Sequence, residues 1–137
     1  MFALALFLAA GCSGPQATIQ PELATQLASR PSSIDLASLH GGNWDRLVIV
    51  GPYTTPEELD SVLGFHFGDR TLADSIARSD GINVIILVSA QTVVAAETVT
   101  RSVVDFGDPL PLALAPNGAR FSVTWVSNGP ILHLTEG

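Results

Sequence analysis

The sequence predicts an α+β domain, with a mostly antiparallel sheet of about five strands and two or three helices packed on one face. Residues 47–50 form a short apolar run that is followed by a strong helix signal at 55–64. The second half of the chain contains four β-rich runs arranged as two hairpins. Parallel strands need long crossover connections, usually helices. This half predicts none, so an antiparallel sheet is favoured over a parallel α/β sheet.

The segment 44–64 combines a strand, a rigid turn and a helix. Its apolar run, 47–50, is rich in β-branched residues, which is typical of a strand covered on both faces. Pro52 ends this strand because proline cannot donate a hydrogen bond to a neighbouring strand. Thr55 lies three residues before Glu58, with a proline at the first helical position, which is the capping-box pattern. The glycine that closes the segment is typical of a helix end.

The flanking segments predict the other elements. A helix is expected from Pro21 to the region before Pro31, and a helix of about two turns around 72–76. Residues 107–118, with three prolines, are expected to form a long loop. Asn128-Gly129 is typical of a type I′ turn and joins the last two strands. The four β-rich runs are residues 82–88, 92–100, 120–126 and 131–135.

Composition limits the class of protein. Hydrophobic residues make up 47% of the 137 residues, which suffices for one domain with a real core. The formal net charge is −7, and all six basic residues are scattered arginines. Nucleic-acid binding is disfavoured because the sequence contains no basic stripe.

The first residues are typical of a secretion signal. Residues 2–10 form a continuous apolar run, which is shorter than the ~20 residues of a membrane-spanning helix but matches the apolar region of a signal peptide. Small residues follow, and then Cys12, the only cysteine, so no internal disulfide can form. The chain is therefore divided into a signal peptide at 1–11, a tether at 12–19 and a single domain at 20–137.

Residues 8–12, with the sequence LAAGC, resemble the lipobox of bacterial lipoproteins. In that family the signal peptidase cuts before the cysteine, whose sulfur carries a diacylglycerol, so the resemblance implies lipid attachment at Cys12. Two features depart from the pattern: Ala9 stands where leucine is more usual, and no Arg or Lys precedes the apolar run. A start codon further upstream would supply the missing positive charge. Ser13 is not the aspartate that favours inner-membrane retention in enterobacteria, so the outer membrane, facing the periplasm, is expected if the source is Gram-negative.

A second resemblance covers roughly residues 44–99. Residues 44–54, with the sequence WDRLVIVGPYT, are similar to a WDxLxxxxPYT pattern in small bacterial envelope lipoproteins of unknown function. In those proteins the motif opens a strand and a later strand is rich in Val, Ile and Phe, which residues 80–88 and Val93-Val94 match. The resemblance implies a fold and an envelope location, and it brings no activity.

Four side chains flank the central strand and form a candidate binding surface: Trp44, Asp45, Tyr53 and Thr54. A structural interpretation is favoured over a functional one. Trp44 and Tyr53 are expected as aromatic residues of the core or its rim, because aromatic rings bury large areas wherever they can. Asp45 is expected in a turn or at a cap.

No motif in the sequence is typical of catalysis or metal binding. The chain has no GxSxG elbow, phosphate loop or HExxH pattern. No histidine has a second ligand at metal-site spacing, and a zinc site assembled by folding is disfavoured. The histidines are His40, His66 and His133. Three aspartates lie close in sequence, without the spacing of a calcium loop: Asp69, Asp74 and Asp80. We therefore expect no metal, no cofactor and no catalysis.

These observations lead to one functional hypothesis and two alternatives. The chain is expected to be a lipid-anchored envelope protein, attached to the membrane at Cys12, that binds another protein or a surface component without catalysis. The first alternative is an inhibitor or immunity-type lipoprotein whose acidic face meets a basic target. The second is a small hydrolase or metal-binding protein that uses the histidines.

Overall fold

A computed structural model describes residues 18–135 of the chain. The predicted signal peptide, the lipid-attachment residue Cys12 and most of the predicted tether lie outside the described residues. No helix in the described part of the chain is both long enough and apolar enough to cross a membrane.

The described residues form three α-helices, two 3-10 helices and eight strands. The α-helices are α1 (Ile19–Leu27), α2 (Pro56–Leu63) and α3 (Arg70–Arg78). The strands are β1 (Ser33–Asp35), β2 (Arg46–Val50), β3 (Ile82–Ser89), β4 (Thr92–Thr100), β5 (Asp105–Phe106), β6 (Leu112–Leu114), β7 (Arg120–Val126) and β8 (Gly129–Leu134). The 3-10 helices are Leu36–Gly42 and Pro116–Gly118.

The strands form two four-stranded sheets. The first has the order β1-β7-β8-β5 and is antiparallel except for the β5–β8 pair, while the second has the order β4-β3-β2-β6 and is antiparallel throughout. The α+β class and the two hairpins are confirmed, but the single sheet of about five strands is wrong. Three short strands complete the sheets, and two or three residues are too few to show a strand pattern.

The middle strands of the second sheet, β2 and β3, are buried on both faces. Successive side chains of a strand point to opposite faces. Leu47 and Ile49 therefore pack in a core shared with the first sheet and α1, whereas Val48 and Val50 pack in a second core with α2 and α3. All four side chains are fully buried. The prediction of a strand covered on both faces is confirmed.

Helix α2 has the ends that the sequence predicts. The Thr55 hydroxyl accepts a hydrogen bond from Glu58 N at 3.2 Å, and the Glu58 carboxylate accepts one from Thr55 N at 3.0 Å. Gly64 ends the helix with φ of 81°, a left-handed conformation that favours glycine. An N-terminal cap of this kind typically contributes ~1 kcal/mol to helix stability.

The two hairpins have different turns. Ala90 and Gln91 connect β3 to β4 with φ of 47° and 67°, which matches the right-handed twist of the strands. In the second hairpin the turn residues are Ser127 and Asn128, and Gly129 already pairs with Val126 as the first residue of β8. The predicted Asn128-Gly129 turn is therefore wrong by one residue.

Helix α1 is joined to the distant strand β4 through Glu97. The two carboxylate oxygens of Glu97 accept hydrogen bonds from Ile19 N and Gln20 N, each at 2.9 Å. These are N–H groups at the start of a helix, which have no partner within the helix itself. Ile19 is fully buried, so the last position of the predicted tether belongs to the folded domain.

Replacement of Glu97 by alanine is expected to lower the free energy of unfolding by about 1.5–3 kcal/mol. The substitution removes a charged acceptor from two partly buried N–H groups, and hydrogen bonds to charged groups contribute about that much. Urea denaturation followed by tryptophan fluorescence measures the change.

Thr98→Val is the matched control, since Thr98 is the exposed neighbour in β4 and valine keeps its branched shape. Its effect is expected to stay within about 0.5 kcal/mol. An equal loss in both variants would show that β4, rather than the Glu97 cap, is responsible.

Candidate functional site

The four candidate residues lie at opposite ends of β2. Trp44 and Asp45 precede this five-residue strand, whereas Tyr53 and Thr54 follow it. A strand of that length spans roughly 17 Å. The structure therefore separates the predicted surface into two pairs.

Trp44 and Asp45 have structural contacts. The Trp44 side chain is buried, and its Nε1 donates a hydrogen bond to the carbonyl oxygen of Leu39 at 2.8 Å. The Asp45 carboxylate accepts a hydrogen bond from Ala90 N at 2.9 Å, which fixes the turn between β3 and β4. These contacts agree with the core and turn roles expected for the two residues.

Tyr53 and Thr54 line an open groove on the surface. Its volume is about 630 Å³. We name it the Tyr53 groove, and its lining residues are Pro52, Tyr53, Thr54, Glu57, Glu58, Ser61, Val62, Leu110 and Pro111. Of these residues, only Tyr53 and Thr54 are candidates from the sequence. Glu58 is assigned to helix capping, and Leu110 and Pro111 fall within the predicted loop at 107–118.

The second wall of the groove is placed by the short strand β6. This strand pairs with β2, so that Leu47 lies opposite Leu114 and Ile49 opposite Leu112. The pairing brings Leu110 against Gly51, where an added Cβ would lie 3.0 Å from a methyl carbon of Leu110. Glycine at this position therefore allows the two walls to approach. The predicted loop contains this strand, and only its alternating leucines indicate it.

Tyr53 has an unusual backbone conformation. Its φ is 61°, in the left-handed region that costs non-glycine residues free energy. The conformation is fixed because Tyr53 N lies within hydrogen-bond distance of two carbonyl oxygens at the end of α3, Ile76 O at 3.1 Å and Ser79 O at 3.3 Å. The side chain is nevertheless 59% exposed. Packing therefore gives no reason for a tyrosine at a position whose backbone favours glycine.

The groove has a negative electrostatic character. Glu57 and Glu58 are exposed, and no lysine, arginine or histidine is among the lining residues. Among residues 18–135, neither glutamate takes part in an ion pair. Glu58 uses one carboxylate oxygen in the capping box. The carboxylate of Glu57 is thus the freest charge at the groove.

Asp60 holds α2 in place beside α3. Its carboxylate accepts hydrogen bonds from Phe67 N at 2.9 Å and from the Arg70 guanidinium at 3.0 Å, and it lies 3.3 Å from Nδ1 of His66. The hydrogen bond from Phe67 N is the largest cause, and it lowers the pKa of Asp60 below its ordinary value. Desolvation, the next largest, raises this pKa, and Arg70 lowers it further. The ionised carboxylate therefore fixes the helix that forms one wall of the groove.

The histidines and aspartates of the alternative hypotheses are dispersed. His66 contacts Asp60, and the ring of His133 packs against Gly107. Asp69 caps α3 by accepting a hydrogen bond from Leu72 N at 3.0 Å. In the part of the chain that the structure describes, no three His, Cys, Asp or Glu side chains are grouped as metal ligands.

A buried polar contact joins the two sheets. Asn83 of β3 is 1% exposed, and its Nδ2 donates a hydrogen bond to the carboxylate of Asp105 in β5 at 3.1 Å. Arg101 donates two hydrogen bonds to the same carboxylate, at 2.9 and 3.2 Å. Burial raises the pKa of Asp105, but these hydrogen bonds outweigh it and the pKa is lowered. The only sequence signal for this contact is one asparagine within an apolar strand.

No protein-family model, curated protein or solved structure matches the chain. A functional hypothesis therefore depends on the residues of the chain itself.

Tyr53→Gly is expected to change the free energy of unfolding by less than about 1 kcal/mol. Relief of the left-handed strain, about 1–2 kcal/mol, is offset by the flexibility of glycine in the unfolded chain and by the loss of a few ring contacts. Trp44→Ala is the comparison, and loss of its buried ring is expected to cost about 3–5 kcal/mol. Urea denaturation measures the free energy of unfolding of both variants. A loss for Tyr53→Gly as large as the loss for Trp44→Ala would show that Tyr53 has a structural role.

Asp60→Asn is expected to reduce stability at neutral pH and to flatten its acid dependence. A carboxyl group whose pKa is lower in the folded state stabilises the fold above its unfolded value of 3.8, and this contribution is lost as the pH falls through the folded pKa. The wild-type and variant curves should therefore converge in acid. Thermal denaturation between neutral pH and pH ~2.5 measures this. Asp74→Asn is the control, since Asp74 is an exposed residue of α3. If the curve of stability against pH for Asp60→Asn stays parallel to the wild-type curve, the prediction is contradicted.

Proposed function

We propose that the chain is a lipid-anchored protein of the bacterial cell envelope that binds another envelope protein without catalysing a reaction. The observation that carries this proposal is the sequence of residues 2–12. An apolar run, small residues and a lone cysteine occur in the order typical of a lipoprotein signal. If the source is Gram-negative, Ser13 favours the outer membrane, facing the periplasm.

The anchor would hold the domain close to the membrane surface. Each buried CH₂ group of an acyl chain contributes about 0.8 kcal/mol, so two or more chains give stable attachment. Ile19, the first residue of α1, lies seven residues after Cys12. An extended chain spans at most about 3.6 Å per residue, which limits this connection to roughly 25 Å. The domain would therefore bind its partner close to the membrane surface.

The Tyr53 groove supports a binding role. It is concave, it has apolar walls that include Val62 and Leu110, and an exposed tyrosine lies at its edge. Tyrosine is enriched at protein interfaces because its ring buries a large area while its hydroxyl still reaches a polar partner. These features favour contact with a protein side chain.

An inhibitor or immunity-type lipoprotein is the second candidate function. The net charge of −7 and the exposed Glu57 and Glu58 favour it, because complementary charges accelerate association with a basic target. Its binding would weaken strongly with salt. Binding by a module that uses one or two charge pairs would weaken less steeply with ionic strength, because fewer charges are screened.

The lipid anchor predicts a specific change in mass. The full gene, including upstream in-frame codons, is expressed in bacteria beside a Cys12→Ala variant. We expect the membrane fraction to contain a mature species that begins at Cys12 and carries acyl groups, and the variant to lack it. Intact-protein mass spectrometry measures both.

Ser13→Ala is the control, since it changes the neighbouring residue and leaves the thiol in place. An unprocessed wild-type chain without acyl mass would overturn the proposed anchor.

A further inference from the structure

The Tyr53 groove combines three chemical features. An exposed aromatic ring, Tyr53, lies beside two exposed carboxylates, Glu57 and Glu58, and an apolar wall faces them. Each feature fits one part of a long cationic side chain. The ring face attracts a cation, a carboxylate pairs with it, and the apolar wall accepts its hydrocarbon stem.

The charge at the groove exceeds the opposing charge of the helix. Glu57 and Glu58 lie in the first turn of α2, where the helix dipole is equivalent to roughly +0.5 of an elementary charge. Two carboxylates outweigh it, so the site stays negative. Since none of the lining residues is basic, this charge is available to a partner.

The side chain of Tyr53 is exposed to solvent, and its backbone has a positive φ that favours glycine. Tyr53 N is fixed by two carbonyl oxygens of α3, while the ring is 59% exposed. The fold therefore tolerates a strained residue and obtains little packing from it. Strained backbone conformations of this kind are concentrated at active sites and ligand-binding sites.

Arginine fits these features better than lysine. Its planar guanidinium stacks on aromatic rings and pairs with a carboxylate through two hydrogen bonds, whereas an ammonium group is a strongly hydrated point charge. The same molecule contains such a stack elsewhere, because the guanidinium of Arg30 lies 4.4 Å from the ring centroid of Trp125.

We propose that the Tyr53 groove docks an arginine side chain from a basic segment of a partner protein. The guanidinium stacks on Tyr53 and pairs with Glu57, and the stem of the arginine lies along Val62 and Leu110. This inference rests on the proposed binding function and adds the chemistry of its partner.

The probe is a capped peptide, GRGRG, titrated into the ¹⁵N-labelled full chain in detergent micelles. We expect saturable shifts of the amide signals of Tyr53, Thr54 and Glu57. The matched peptide GKGKG should bind more weakly, and GEGEG should cause no shift. Raised salt should weaken binding of GRGRG, because the pair with Glu57 is exposed.

Two variants locate the contact. Tyr53→Asn removes the ring but keeps a residue that tolerates positive φ, and Glu57→Gln removes the charge at an exposed position. Each is expected to weaken peptide binding at least about threefold, which corresponds to one exposed cation–π or ion-pair contact. Asp74→Asn makes the same charge change away from the groove and should leave the affinity within about 1.5-fold, since separated surface charges are screened by salt.

Shifts outside the groove, no shifts at all, or an equal loss with Asp74→Asn would overturn the proposal. Unchanged amide dispersion in Glu57→Gln excludes unfolding as the cause of a loss. The outcome is independent of the anchor. If the chain is acylated but the peptide does not bind to the groove, only this inference is contradicted. If the peptide binds but the chain is not acylated in bacteria, only the proposed lipid anchor is contradicted.

Discussion

The burial of β2 and β3 on both faces is the constraint on which the rest of the structure depends. A strand whose two faces are apolar needs a cover on each side, and this chain supplies different covers. The first sheet and α1 cover one face, while α2 and α3 cover the other. Because β2 ends at Gly51-Pro52, the chain must turn there and enter α2. The position of the groove follows from this turn.

Polar contacts of three carboxylates hold the elements that cover β2 and β3 in position. Glu97 binds the start of α1, Asp60 ties α2 to Arg70 of α3, and Asp105 joins Asn83 to Arg101. Each is a carboxylate that accepts at least two hydrogen bonds, so each connects more than one donor group. A chain with few basic residues thus uses its acids as structural acceptors, and the exposed acids that remain produce its negative surface.

Local signals predicted the elements that depend on local chemistry. The capping box of Thr55 and Glu58, the left-handed Gly64 and the β3–β4 hairpin all follow from neighbouring residues. The division into two sheets did not, because β5 and β6 are too short for a pattern and are defined by distant partners. For the same reason the sequence indicated Tyr53 and Thr54 but missed Leu110 and Pro111, which reach the groove only through the pairing of β6 with β2.

Position 53 is where local and global requirements disagree. The turn after β2 requires positive φ, which glycine satisfies best, and the carbonyl oxygens at the end of α3 require an N–H at that point. Neither requirement calls for a ring. Sequences that fold well are usually consistent at every level, and departures from that consistency concentrate at functional sites. An exposed tyrosine in a strained turn, beside the two exposed carboxylates of Glu57 and Glu58, is such a departure. The buried Trp44 at the other end of the strand is explained by packing and its hydrogen bond to Leu39 O.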